Sequence, residues 1–153
     1  MRTIDELLAE APAFEGMAPA QLELIAGCAH NEVFEKGAFL LREGDTANVF
    51  YVLRSGRVKL EAHAAQRGAL SIETIEKGDL LGWSWLVPPY KKQYDARVVK
   101  LVRGLLFDGK RIRALCEADP KLGYALLMKF SKIMSDRLWA ARIQIMDIYA
   151  KGS

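Results

Sequence analysis

The 153 residues carry 51% hydrophobic and 27% charged side chains at a formal net charge of +3, the make-up of one globular domain large enough to bury a core. No apolar run is long enough to span a bilayer, and the opening Met1 to Glu6 is acidic where a signal peptide has an apolar core, so the reading is a cytoplasmic protein outside the membrane. Cys28 and Cys116 stand far apart and read as reduced buried thiols, and His30 and His63 form no ligand pair, so neither a disulfide framework nor a metal site is expected.

Residues 1–30 read as N-terminal helices. Thr3 with Glu6 has the spacing of a capping box ahead of Leu7 and Leu8. Pro19 suits a second helix start, with Leu22, Ile25 and Ala26 on one apolar face. From 31 to 107 the period changes to that of strands. Val33-Phe34, Phe39 to Leu41, Val49 to Leu53, Val58 to Ala62 and Leu70 to Ile75 are short runs separated by Gly-bearing turns at Gly37, Gly44, Gly56, Gln66-Arg67-Gly68 and Gly78. Regular spacing of this kind predicts an antiparallel barrel or sandwich. The alternation of Leu70 and Ile72 with Ser71 and Glu73 predicts that the two leucine-type residues are buried and the polar pair is wet.

The stretch 77–99 organises the rest. Gly78 and Gly82 allow backbone conformations that a side chain forbids. Trp83 to Val87 is long enough for one helical turn, which Pro88-Pro89 would end. Free N–H groups at such a turn offer a seat for an anion. The plainer reading is that Trp83 and Trp85 are core residues under a surface loop. Strands resume from Tyr94 to Phe107.

Residues 108–153 read as C-terminal helices. Asp108-Gly109 opens a short helix to about Ala118, on which Lys110, Arg111 and Arg113 make a solvated face rather than the dense basic stripe of a DNA-bound protein. Asp119 as N-cap and Pro120 at the first position start a helix that runs to about Ala150, a rod of about 45 Å. Leu127, Met134, Ala141 and Ile148 recur every seven residues, interleaved with Ser131, Leu138 and Ile145. That heptad seam predicts a parallel homodimer. Phe130, Ile133 and Arg137 line a neighbouring strip and Trp139, Arg142, Met146 and Tyr149 another, so the helix serves more than one surface; the alternative is a helix folded back on its own barrel in a monomer.

The pattern Lys36-Gly37-x-x-Leu40-x-x-Glu43-Gly44-Asp45, then Phe50 to Leu53, Gly56 and Val58, then Gly78-Asp79-Leu80-Leu81-Gly82, resembles the cyclic-nucleotide-binding domain of the Crp/Fnr superfamily over about residues 14–150. The resemblance implies an α+β, mainly β fold: a jelly-roll-like antiparallel β-roll with N-terminal helices and a long C-terminal dimerisation helix. It also implies a pocket inside the roll, and a phosphate-binding cassette opening at Gly82. A helix-turn-helix DNA reader would follow the long helix in that family; the sequence stops at Ser153, so the expectation is a stand-alone sensor that does not bind nucleic acid by itself, or half of a two-protein switch.

Three polar contacts of that family are changed. Trp83 stands where the cassette glutamate accepts from the ribose, and Tyr94 where its arginine pairs with the phosphate. Ala141 and Arg142 fall where a hydroxyl from the long helix meets the base. Arg97 carries a guanidinium suited to phosphate, but its odd spacing from Tyr94 turns it to the other face of a strand.

The candidate ligand-binding set is Leu81, Gly82, Trp83, Ser84, Trp85, Tyr94, Asp95, Ala96, Arg97 and Arg142, and the candidate dimer seam is Leu127, Met134, Leu138, Ala141, Ile145 and Ile148. Two functions fit: a regulatory module sensing a small effector, with cyclic AMP and cyclic GMP bound weakly or not at all, or a homodimeric interaction module whose pocket is plugged by its own tryptophan and which acts through a downstream protein partner. No His-Ser-Asp or Cys-His grouping and no Gly-rich loop with a Walker lysine supports an enzyme, and no cofactor beyond such an effector is implied.

Overall fold

The computed structural model describes residues 2–64 and 68–152. Helix α1 (Ile4–Glu10) starts with the expected capping box: the Glu6 N–H donates to the Thr3 hydroxyl at 3.2 Å and the Thr3 N–H to the Glu6 carboxylate at 3.1 Å. A 3₁₀ turn (Pro12–Phe14) leads to α2 (Pro19–Ala26), which Pro19 opens and which buries Ile25 and Ala26, with Leu22 partly buried against the same core.

Six strands follow among the described residues: β1 (Ala29–Phe34), β2 (Phe39–Leu41), β3 (Val49–Ala64), β4 (Gly68–Ile75), β5 (Leu80–Leu81) and β6 (Asp95–Asp108). All pairings are antiparallel, in the order β1-β6-β3-β4 with β2 on β6 and β5 on β3. The predicted antiparallel roll with helices at both ends is thus present. The two runs Val49 to Leu53 and Val58 to Ala62 are one strand, because Ser55-Gly56 is a bulged bend and not a turn. Gly56 makes the bend: its φ is +93°, and a Cβ there would lie 2.2 Å from the Leu101 carbonyl oxygen. The expected turn at Gln66-Arg67 lies outside the described residues.

One burial expectation reverses. Leu70 and Ile72 are 40% and 46% exposed, while Glu73 is half-buried. Ile75 is buried opposite Val58 inside the roll, and the two-residue period then turns Glu73 inward and Ile72 outward.

Asp108 caps α3 (Gly109–Ala118) through the Arg111 N–H, and Asp119 receives the Lys121 and Leu122 N–H groups at the start of α4 (Pro120–Gly152). The 33 residues of α4 make a rod of about 50 Å. Leu122, Leu126 and Phe130 bury one face of its first half on the body; from Leu138 to Gly152 every residue is exposed. No helix of the described residues is long and apolar enough to cross a membrane. Cys28 is buried and Cys116 half-buried, both as free thiols.

The core has two compartments on opposite faces of β3. Phe50 and Val52 face the helices with Phe14, Phe107, Trp85 and Phe130, whereas Tyr51 and Leu53 face the roll interior with Leu60, Leu81, Ala96 and Val98. Burial on both faces explains why Val49 to Leu53 reads as an unbroken apolar run rather than an alternating one.

Candidate functional site

The mouth of the roll is built from the end of β5, the start of β6, the inner face of β4 and the body-facing side of α4. Leu81 pairs with Tyr51, and the buried Gly82 then turns the chain with φ +93°. Trp83 to Leu86 closes one turn, the Leu86 N–H donating to the Trp83 carbonyl at 3.0 Å, and no helix forms. The Pro88-Pro89 pair lacks the N–H groups that would propagate it, so the turn does not lengthen into a helix. Arg113 of α3 ties the loop down: it donates to the Trp85 carbonyl and stacks 4.0 Å from the Tyr90 ring centre.

The two tryptophans part company. Trp85 is fully buried in the helix-side compartment, stacked on Phe50 at 4.8 Å and edge-on to Phe130 at 5.3 Å. It does not line the roll, so its place in the expected ligand set is corrected: the core reading holds for Trp85. Trp83 is half-buried at the mouth, edge-on to Tyr94 at 6.3 Å. Ser84 beside it is half-buried.

At the start of β6 the residues alternate as the parity argument predicts. Ala96 is fully buried inside the roll, while Asp95 and Arg97 lie on the outer face. Arg97 makes a two-pronged pair with Glu61, Nε to Oε1 at 2.9 Å and Nη2 to Oε2 at 3.3 Å, and this hydrogen bonding lowers the Glu61 pKa. Asp95 accepts from the Glu43 N–H and faces His63 Nε2, both at 2.8 Å; the backbone bond first, and His63 and Arg42 behind it, hold its carboxyl below the usual range against the opposing effect of burial. Neither residue points into the roll. Arg142 lies on the exposed far half of α4, away from the mouth.

The long helix instead contributes Arg137, from the strip shared with Phe130 and Ile133. Its guanidinium sits 5.0 Å from the Trp83 ring centre, with Nε 3.5 Å from Glu73 Oε1 and Nη2 donating to the Leu80 carbonyl. Nη1 is buried without a partner. Burial raises the Glu73 pKa, with Arg137 opposing and Asp79 adding to the rise. Burial likewise pushes the Tyr94 hydroxyl up to about 12, and among the described residues that hydroxyl has no hydrogen bond. Arg137 and Glu73 were the residues sequence reasoning passed over. The signal for Arg137 was a lone charge on an otherwise apolar strip; for Glu73 there was none, because its inward parity depends on Ile75.

Among the described residues no group of three or more His, Cys, Asp or Glu side chains is placed to hold a metal ion. The mouth is a polar-tipped aromatic site: the Trp83 indole, the Tyr94 phenol, the Arg137 guanidinium and the Glu73 carboxylate.

Comparison with known proteins agrees with this geometry. The cyclic nucleotide-binding domain model matches residues 31–119. A CRP-like cAMP-activated global transcriptional regulator from Mycobacterium tuberculosis is 22% identical over 145 residues, covering 95% of this chain and 63% of the relative. A cAMP-dependent protein kinase regulatory subunit from Schizosaccharomyces pombe is 31% identical over 78 residues, 51% of this chain and 18% of the relative. This chain therefore spans less than two thirds of these relatives. The crystal structure of a putative cyclic nucleotide-binding protein from Geobacter metallireducens superposes with a TM-score of 0.80 at 25% identity, covering 90% of this chain and 99% of that one. With the roll, the Gly78 to Gly82 turn, the terminal helices and a family model over more than half of its length, the chain belongs to the cyclic nucleotide-binding domain family.

Proposed function

We propose that this chain is a regulatory, small-molecule-sensing domain whose effector is not cyclic AMP or cyclic GMP. The observation that carries this reading is the exchange of the polar contacts at the roll mouth. Trp83 and Tyr94 occupy the positions that the family resemblance assigns to the ribose acceptor and the phosphate partner, and they lie edge-on to each other at 6.3 Å. Arg97, the nearest candidate to replace the lost arginine, is turned outward and engaged by Glu61. Each charge-assisted hydrogen bond contributes about 1.5–3 kcal/mol, so losing two weakens a cyclic nucleotide by roughly 3–6 kcal/mol, about two to four decades in affinity.

Titration calorimetry tests this. The unmodified protein shows weak or no binding of either cyclic nucleotide, and Trp83→Glu with Tyr94→Arg improves it. Micromolar affinity in the unmodified protein would refute the reading.

A second reading has one observation in its favour: Trp83, Tyr94 and Arg137 pack against one another at the mouth, as a plug would. On that reading the protein acts through its surfaces as a homodimer with a downstream protein partner. The exposed Leu127, Leu138, Ile145 and Ile148 on α4 suit such a role. Met134 is half-buried against the body and Ala141 lies exposed between Leu138 and Ile145, so the seam's centre falls on the outer half of the helix.

A further inference from the structure

Two hydrogen-bond donors converge on the roll mouth with nothing to receive them. Arg137 Nη1 is buried and unpartnered. The Tyr94 hydroxyl has no acceptor among the described residues, and both Arg137 and Glu73 act on it electrostatically. Trp83 lies against both, edge-on to Tyr94 at 6.3 Å and 5.0 Å from the Arg137 guanidinium. Buried donors are almost always satisfied, and an unmet charged one such as Arg137 Nη1 is expensive.

The carboxylate at hand serves poorly. Glu73 reaches Arg137 Nε at 3.5 Å, beyond the roughly 2.7–2.9 Å of a strong charge-assisted bond. Glu73 also stands on β4, which among the described residues pairs with β3 alone, with its side chain 35% exposed, so water receives it when it is displaced. Arg137 also borders a cleft of about 400 Å³ whose lining includes Pro12, Gly78, Leu80 and Ile133.

The unmet guanidinium N–H calls for an acceptor, a negative group matches its charge, and the Tyr94 hydroxyl beside it can donate to the same group. The apolar surface beside them is aromatic. We propose that the roll mouth binds a small aromatic anion, a carboxylate or a phosphate monoester. Its charged head is held between Arg137 Nη1 and the Tyr94 hydroxyl in place of Glu73, and its ring lies on Trp83. A guanidinium receives either head group by paired N–H bonds, and Trp83 offers a ring face for stacking. This rests on the reading of the chain as an effector sensor and names the effector's chemistry.

The test uses sodium benzoate, phenyl phosphate and the neutral isostere benzamide, followed by calorimetry and by the melting temperature of the full chain. At least one anion binds saturably and raises the melting temperature. Benzoate acting alone assigns a carboxylate head, phenyl phosphate alone a phosphate. Benzamide binds about tenfold weaker or less tightly still, and Arg137→Gln and Tyr94→Phe each weaken the anion by about tenfold or more. Glu73→Gln, which removes the competing carboxylate, tightens it, a gain that a merely structural role for Glu73 would not produce. Tyr94→Phe removes one oxygen and leaves the ring, so it answers even where Arg137→Gln fails to fold.

No response to either anion, or equal binding by wild type and Tyr94→Phe, overturns the proposal. Cyclic AMP titrated in the same buffer separates the two levels. Silence toward all of the anions and toward cyclic AMP refutes the anion seat and leaves the wider reading in place. Micromolar cyclic AMP binding refutes the wider reading, and the two anion titrations then judge the seat alone.

Discussion

Truncating Trp85 and truncating Trp83 have different consequences, although the two lie two residues apart in one loop. Trp85 is fully buried and gives up two aromatic partners, Phe50 at 4.8 Å and Phe130 at 5.3 Å, in a compartment that also stacks Phe50 on Phe107 at 4.4 Å. Its neighbours come from a strand and a helix already fixed by other contacts, so the space cannot collapse. Trp85→Ala therefore costs about 3–5 kcal/mol, which at this length lowers the melting temperature by about 6–20 °C. Trp83 stands at the mouth, where water enters and Tyr94 and Arg137 can close in. Trp83→Ala loses only the transfer contribution, about 1.5–3 kcal/mol. The Trp85 indole N–H is buried without an acceptor, so Trp85→Phe removes an unmet donor and falls well short of the alanine variant. Urea unfolding followed by far-UV circular dichroism measures all three without using the lost fluorophore. A Trp83→Ala variant as damaged as Trp85→Ala, or a Trp85→Ala variant near wild type, would refute the assignment of the two rings.

Gly56→Ala forces a Cβ against the Leu101 carbonyl at a positive φ, and unfolding midpoints should show a loss of about 1–3 kcal/mol. Asp95 has a lowered pKa, so its stabilisation is present above the ordinary carboxylate pKa, about 4, and is lost as pH falls through the lower folded value. Asp95→Asn should then be less stable at neutral pH and show a flatter acid limb than wild type in urea midpoints measured against pH, and parallel profiles would contradict this. Leu138→Asp with Ile145→Asp places charges on the exposed strip of α4 and should convert a dimer to a folded monomer in sedimentation; a wild type already monomeric at micromolar concentration would dispose of the seam.

Much of this molecule was legible as local chemistry. The Thr3 and Glu6 capping box, Asp108 and Asp119 as caps and Pro19 and Pro120 as helix openers all act within one turn of chain, and all stand where their spacing put them. The outward direction of Arg97 followed from the two-residue period alone once Tyr94 was taken to face the mouth. The roll itself was readable because Gly-bounded strands of that spacing leave few other closures.

Tertiary structure decided what depends on a partner far away in the chain. Periodicity marks β4 as two-faced but does not say which face is covered; Ile75 opposite Val58 settles it, and Glu73 turns inward while Leu70 and Ile72 are left outside. Trp83 and Trp85 carry the same side chain in the same loop, and only the placement of Phe50 and Phe130 draws Trp85 into the core and leaves Trp83 at the mouth. Arg137 reads in sequence as a charge on a helix strip. It reaches the roll mouth because α4 is laid against the body by Leu122, Leu126 and Phe130, which brings its guanidinium to Trp83 and Glu73. Caps, turns and strand period are set by bonds between near neighbours, which a sequence displays. The identity of a site is set by which faces pack against each other, and that is a property of the folded chain.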